Sequence, residues 1–165
     1  MNDFKNPIGV FIDTSNLYYC CRRTFNANIS YAQLIGYIQD KVPTGDLIIR
    51  AYGTYIGDKP LTFIHNLVQL GVMVSYKEAR EVERGKFKAD CDIDIAIEII
   101  KHLNNFDTFV LCSADGDFLP LIKYLLDANK KVFVFGVNVS NELRTVVPCF
   151  EITERELEHA IAKAV

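Results

Sequence analysis

Six aspartates fall in three short stretches of the chain: Asp13 in "FIDTSN", Asp90, Asp92 and Asp94 in "ADCDID", and Asp115 and Asp117 in "CSADGDF". Carboxylates brought within a few ångströms of one another repel. They stay ionised together only if a cation neutralises them; otherwise one takes up a proton. Oxygen ligands suit the hard cations Mg²⁺ and Mn²⁺, and Mg²⁺ keeps waters while taking one or two carboxylates plus substrate phosphate. Such a site can activate a water and shield a phosphoryl oxygen. An acidic pocket of this kind is a phosphate or phosphodiester site before it is a proton-shuttling pair.

Each acid also has an ordinary reading. An aspartate between a strand and a helix is often only an N-cap, and Asp117 is placed to cap the helix that follows it while orienting a ligand. The spacing predicts a helix over 91–103, with Ile93, Ala96, Ile97 and Ile100 as its core stripe at i, i+3, i+4, i+7. At about 100° per residue, Asp92 then lies on one flank. Asp94, Glu98 and Lys101 share the other, so Asp94 and Glu98 read as a solvated face with Glu98 paired to Lys101. Asp90 reads as a cap or a supporting acid. Lys88 stands closest to Asp92 among the basic residues of "KEAREVERGKFK" and is the candidate to meet a substrate phosphate; the rest of that segment reads as a mixed-charge solvated loop. Arg22 and Arg23 form a second candidate pair for phosphate. Tyr18, Tyr19 and Phe25 beside them have the rings to stack on bases, although tyrosines on an amphipathic helix usually belong to the core.

The elements that must position these residues alternate. Strands are expected at 8–13, 46–55, 72–79, "FDTFVL" and 131–136. Helices are expected at "TSNLYYCCRRTF", at 30–42 with Ser30 as N-cap, at 60–70 with Gly71 closing it, at 91–103, at "GDFLPLIKYLLDAN" and at 153–165, the last opened by a Thr153-x-x-Glu156 capping box. The polar stretch 80–90 is expected to be a loop. This order predicts a mainly parallel sheet covered on both faces. Ligands of such sheets bind beyond the carboxyl ends of the strands, where the strand order reverses. Asp13 ends the first strand and Ser113 follows the fourth, so the acids meet there if those two strands are neighbours.

With 165 residues, half of them hydrophobic, the chain is expected to form a single domain spanning 1–165 with a sizeable core. No apolar run approaches the ~20 residues of a membrane helix, and "MNDFKNPIG" has neither the basic nor the apolar region of a signal peptide. A cytoplasmic, reduced setting is the expectation: the five cysteines are odd in number and form no C-x-x-C pair. They read as small core residues, and no histidine is placed by sequence to activate Cys112. The net charge of −3 does not advertise nucleic-acid binding, which leaves that work to a local basic patch. Low net charge and an exposed last helix would allow a homodimer.

Four segments, "VFIDTSNLYY", "KADCDIDIAIEII", "LCSADGDFLPLIKYLLDANKKVFVFG" and "VSNELRTVVPCF", resemble the signature blocks of the NYN domain. More narrowly, they resemble its LabA-like bacterial branch within the PIN-like nuclease class. The resemblance runs in order from about residue 8 to residue 152. It implies a three-layer αβα sandwich with a central, mainly parallel sheet and a metal-dependent ribonuclease acting on RNA with Mg²⁺ or Mn²⁺. By motif, Asp13, Asp92 and Asp115 would be the metal ligands and Asp117 a further acidic residue of the site. Asn16 would hold a metal-associated water or a phosphate, and Ser113 would orient the loop. The catalytic set is thus Asp13, Asn16, Asp92, Asp115 and Asp117, with Lys88, Ser113 and Arg22 toward the substrate. Ala89 and Ala114 stand where glycine is usual, Glu98 where aspartate is common, and "VVPCF" departs from the family's ending.

Two other classes compete. The first is a non-enzymatic module that binds RNA or a nucleotide in the same pocket as a regulatory adaptor; metal binding without cleavage would distinguish it. The second is a haloacid-dehalogenase-type phosphatase, which needs a second aspartate two residues after the first, where this chain has Ser15. A receiver-type phosphoacceptor domain is disfavoured as well, because the acids come from three segments and no lysine follows the fourth strand's loop in the expected place.

Overall fold

A computed structural model describes residues 6–88 and 90–158. Its elements follow in the order β1 (Ile8–Asp13), α1 (Thr14–Phe25), α2 (Tyr31–Lys41), β2 (Leu47–Tyr55), α3 (Leu61–Gln69), β3 (Met73–Glu78), β4 (Arg80–Glu83), β5 (Lys86–Lys88), α4 (Asp92–Lys101), β6 (Thr108–Cys112), α5 (Leu119–Asp127), β7 (Lys131–Gly136), α6 (Asn141–Arg144) and β8 (Cys149–Glu151). Short 3₁₀ turns cover Gly116–Phe118 and Glu154–Glu156. Six strands form one sheet in the order β3-β2-β1-β6-β7-β8, and every pairing in it is parallel. With helices on both faces this is a three-layer αβα sandwich. β1 and β6 are neighbours, and the strand order reverses between them, so the switch-point crevice opens at their carboxyl ends.

The central strands are apolar on both sides because both faces are covered. Every residue of β1 and β6 is buried. Ile8, Val10 and Ile12 pack with Leu17, Leu34 and Ile38 of α1 and α2 in one core. Phe11 packs with Phe109, Leu111, Ile95 and Ile99 in the other, its ring stacked on Tyr52 and Phe109 with centroids 6.4 and 6.1 Å away. Fully burying a side chain of this size contributes about 1.5–3 kcal/mol.

The structure departs from the sequence reading in four places. Residues 80–88 are a β-hairpin, not a loop, with Glu83 paired to Lys86 across Arg84 and Gly85. Gly85 has φ +77°, the conformation a tight hairpin turn requires. Both faces of β4 are exposed, so no apolar alternation announces it. On α4 the buried stripe is Cys91, Ile95 and Ile99, while Ile93, Ile97 and Ile100 are exposed. Isoleucines surround much of this helix, and periodicity alone does not choose between two legitimate stripes. α6 and the edge strand β8 were not expected. The expected helix at 153–165 is, where described, a 3₁₀ turn followed by Leu157, which bridges Ile29 in antiparallel fashion; its capping box is present. Residues 159–165 and Ala89 lie outside the described residues.

Candidate active site

Strand periodicity aims the first acid. On β1 the side chains of Phe11 and Asp13 share the face that α4 covers, with Phe11 in that face's core. β6 runs parallel in the register Ile12↔Cys112, so the next step brings Ser113 beside Asp13. The Ser113 hydroxyl donates to Asp13 Oδ2 at 3.4 Å and accepts the Asp115 N–H at 3.3 Å. Both residues are buried, Asp13 at 4 % exposure and Ser113 at 0 %.

Hydrogen bonds tie the loops after β1 and β6 together. Asp13 is the N-cap of α1, accepting the Asn16 N–H at 3.0 Å. Asn16 Oδ1 accepts the Ala114 N–H at 3.0 Å and faces the Cys20 thiol at 3.8 Å. Asp115 caps the 3₁₀ turn through the Asp117 N–H at 2.9 Å, so the capping role belongs to Asp115 and not to Asp117. The glycine between these two acids has a steric reason: a Cβ on Gly116 would lie 2.6 Å from Glu142 Oε2 and 3.1 Å from Ser140 Oγ. The start of α6 therefore closes over the loop, held by a Ser140 N–H to Ala114 carbonyl bond of 3.2 Å.

Burial pushes Asp13 up to about 6; the Asn16 and Ser113 hydrogen bonds act against that rise, and the charges of Asp92 and Asp115 add to it. Asp92, in the first turn of α4, is also raised, by burial first and then by Asp115, Asp90 and Asp117. The carboxylates of three separate segments thus act on one another electrostatically. Cys91 lies against Asp13 with Sγ 4.0 Å from Oδ1, and burial next to Asp13 pushes its thiol up to about 12. It is therefore a neutral wall of the site and no nucleophile. All five cysteines are free thiols, four of them buried.

The remaining predicted residues separate clearly. Asp94 pairs with Lys77, and Glu98 pairs with Lys101 at 2.9 Å. Asp117 is exposed at the rim. The Lys88 side chain lies outside the described residues. Arg22 is exposed in the last turn of α1, about 13 Å along the helix from Asp13 at 1.5 Å per residue. Arg23 is the better placed of the pair. Its guanidinium approaches Cys20 Sγ at 3.8 Å, on the helix face that Asn16 begins, and Cys20 also feels Asp13 and Asp115. Glu142, in the first turn of α6 after the Ser140 cap, is a further carboxylate beside the Asp115–Asp117 loop that the sequence reading does not name.

The donor set is all oxygen, and its buried member holds its proton more tightly chiefly because it is buried, with the charges of Asp92 and Asp115 adding to that. That chemistry fits a hard divalent cation. Among the described residues, no three His, Cys, Asp or Glu side chains are grouped closely enough to hold an ion as they stand. Two cavities flank the region. One of about 490 Å³ lies between β3 and α4, lined by Met73, Ser75, Asp94 and Ile97 but not by Asp13, Asp92 or Asp115. The other, of about 380 Å³, begins at Thr14 and Ser15 directly after Asp13 and is walled by tyrosines and Phe63.

Fold and site together define a three-layer αβα domain of the PIN-like kind, with carboxylates gathered at the switch point of a parallel sheet. The NYN domain model matches residues 7–153, and the chain belongs to the NYN domain family. The crystal structure of a protein of unknown function, VPA0982 from Vibrio parahaemolyticus RIMD 2210633, is similar at a TM-score of 0.83 and 28 % identity, covering 96 % of this chain and 99 % of that one. A PLP-bound structure from Clostridium difficile 630 gives a TM-score of only 0.26 at 12 % identity over 74 % of this chain and 34 % of that one, and carries no argument. No curated protein matches the chain. Membership of this nuclease family makes RNA the implied substrate and divalent-metal chemistry the general mode. Among the described residues, no helix is long and apolar enough to cross a membrane.

Proposed function

We propose that this chain is a ribonuclease of the LabA-like branch, a single NYN/PIN-like domain over residues 1–165 that hydrolyses RNA phosphodiesters with Mg²⁺ or Mn²⁺. The observation that carries the reading is Asp13, an anion 4 % exposed at the β1/β6 switch point, whose proton affinity Asp92 and Asp115 raise further. Burying a carboxylate beside other carboxylates is unfavourable unless a positive charge joins them.

Asp13, Asp92 and Asp115 would hold the ion. Bound there, it would lower the pKa of a water and offset charge on the phosphoryl oxygens. Ser113 keeps Asp13 and Asp115 in register through its one hydroxyl, and Asn16 locks the loop after β6 to α1. Asp117, at the rim, orients the attacking water and accepts its proton. The water oxygen forms its bond to phosphorus in line as the bond to the leaving oxygen breaks, and the leaving oxygen takes a proton from solvent to depart as a hydroxyl. Arg23 and Lys88 hold the non-reacting phosphates. No histidine is needed.

Incubating the protein with a mixed RNA pool tests this. Cleavage is expected with Mn²⁺ or Mg²⁺, lost with chelator, and lost in Asp13→Asn while that variant stays folded. An Asp13→Asn protein as active as the parent refutes the assignment. The lack of a ready-made group of three ligands among the described residues favours one second reading, a regulatory module that binds RNA or a nucleotide at the same edge. That module would show a metal-dependent thermal shift and no cleavage.

A further inference from the structure

Beside the acids, across the end of β1, lies a cavity that phosphate chemistry does not use. Thr14 and Ser15 form its near edge, and Tyr18, Tyr19, Tyr31, Phe63 and Tyr76 supply its walls. Tyr18 and Tyr19 are 50 % and 65 % exposed, although tyrosines on an amphipathic helix usually belong to the core; Phe25, the third ring of that group, does pack on the core. Behind them Phe63 sits edge-on to Tyr31 and Tyr76, with centroids 5.7 and 6.0 Å away. The Thr14 hydroxyl donates to the Tyr52 carbonyl at 2.7 Å and also meets the Tyr76 hydroxyl. This contact fixes the back of the cavity to the residue that follows Asp13. Gly53 makes room for it, since a Cβ there would lie 2.5 Å from Thr14 Oγ1 and 2.6 Å from Tyr76 Cε1. The charge of Asp13 reaches both Tyr31 and Tyr76.

We infer that this aromatic cavity receives a nucleobase of the strand whose phosphate the carboxylates engage. The inference rests on the ribonuclease reading. Flat rings presented to solvent are stacking platforms for any base, whatever its hydrogen-bonding edge. Cavities of about this size, mostly apolar with a few polar groups, are ordinary small-ligand sites; here Ser15, Thr54 and Asn28 supply polar groups at the lining. Because β1 ends between cavity and acids, a strand crossing that end places one phosphate at Asp13 and an adjoining base among the tyrosines.

The chain has eight tyrosines and no tryptophan, so base stacking is readable as quenching of tyrosine emission. Adenosine is titrated into the protein in chelator and its site mapped by amide NMR shifts, for the parent and for Tyr19→Ala and Phe63→Ala. Cleavage kinetics are then compared on an oligoribonucleotide and on the same strand with single abasic positions. The inference expects shifts confined to the cavity lining and adenosine binding about tenfold or more weaker in Tyr19→Ala, the range expected for losing one stacking platform. It expects a matching rise in KM that disappears on the strand lacking the stacked base. Unchanged adenosine affinity in both variants, or shifts that map elsewhere, overturns it. Adenosine bound in the cavity without any RNA cleavage supports the cavity and counts against the nuclease reading alone.

Discussion

At the residue scale, one buried carboxylate carries the electrostatics. Asp13 holds its proton up to about pH 6, against an ordinary value of 3.8. Between those two values the folded state binds more protons than the unfolded one, so stability falls as pH rises from about 4 to about 6 and levels above that. At 1.36 kcal/mol per unit the loss approaches roughly 3 kcal/mol. Urea unfolding in chelator across that range checks the slope, and saturating Mn²⁺ should flatten it, because the ion replaces the proton. Asp13→Asn should therefore be more stable than the parent above pH 6 in chelator, by about 1–3 kcal/mol, even as it loses cleavage. Ser113→Ala removes a donor to one acid and an acceptor for the neighbouring loop. It should weaken metal affinity or activity about 10- to 100-fold, measured by Mn²⁺ titration, while destabilising the fold by only about 1 kcal/mol. Asp13 and Asp115 were legible because carboxylates at strand-to-helix junctions stand out by type. The sequence reading sets Arg22 toward the substrate, whereas Arg23 is the one that lies beside Cys20; adjacent arginines on a helix differ only in a direction that the packing of α1 decides.

At the element scale, the strand and helix sequence was legible for the longer elements that meet the core, while α6, four residues long with Leu143 as its one buried residue, was too short to show a period. β1, α1, α2, β2, α3, β3, α4, β6, α5 and β7 fall where their patterns place them. The hairpin escaped because neither of its faces is buried, so burial left no period to read. α4 shows the opposite difficulty: its apolar residues surround the helix, and the buried stripe opens with Cys91, next to Asp92, instead of running through Ile93, Ile97 and Ile100. A close approach between elements is testable at Gly53, where β2 must let Tyr76 of β3 reach Thr14 of α1. Gly53→Ala should destabilise the protein by about 1–3 kcal/mol through overpacking, seen as a lower denaturant midpoint with an unchanged slope. A neutral result would mean that the ring and the hydroxyl separate freely.

At the scale of the whole molecule, the parallel sheet does what no local motif can. It brings residues about a hundred positions apart to one edge, with Asp13 and Ser113 set side by side by the β1–β6 register. The chain as a whole is acidic at −3, so its grip on a polyanion must be local. The hairpin leaves β3 shortly before α4 begins and carries four basic residues against two acidic ones over 80–88. Arg80→Gln with Arg84→Gln should weaken RNA binding and reduce the slope of log affinity against log salt by about 0.7 for each phosphate that is no longer neutralised, with little effect on stability because both positions are exposed. The central claim, that acids from three segments share one divalent ion, is tested most directly by the anomalous difference map of a crystal grown with Mn²⁺. The account predicts a peak bounded by Asp13, Asp92 and Asp115. A peak bound elsewhere, or an acidic edge left empty at saturating Mn²⁺, would contradict it.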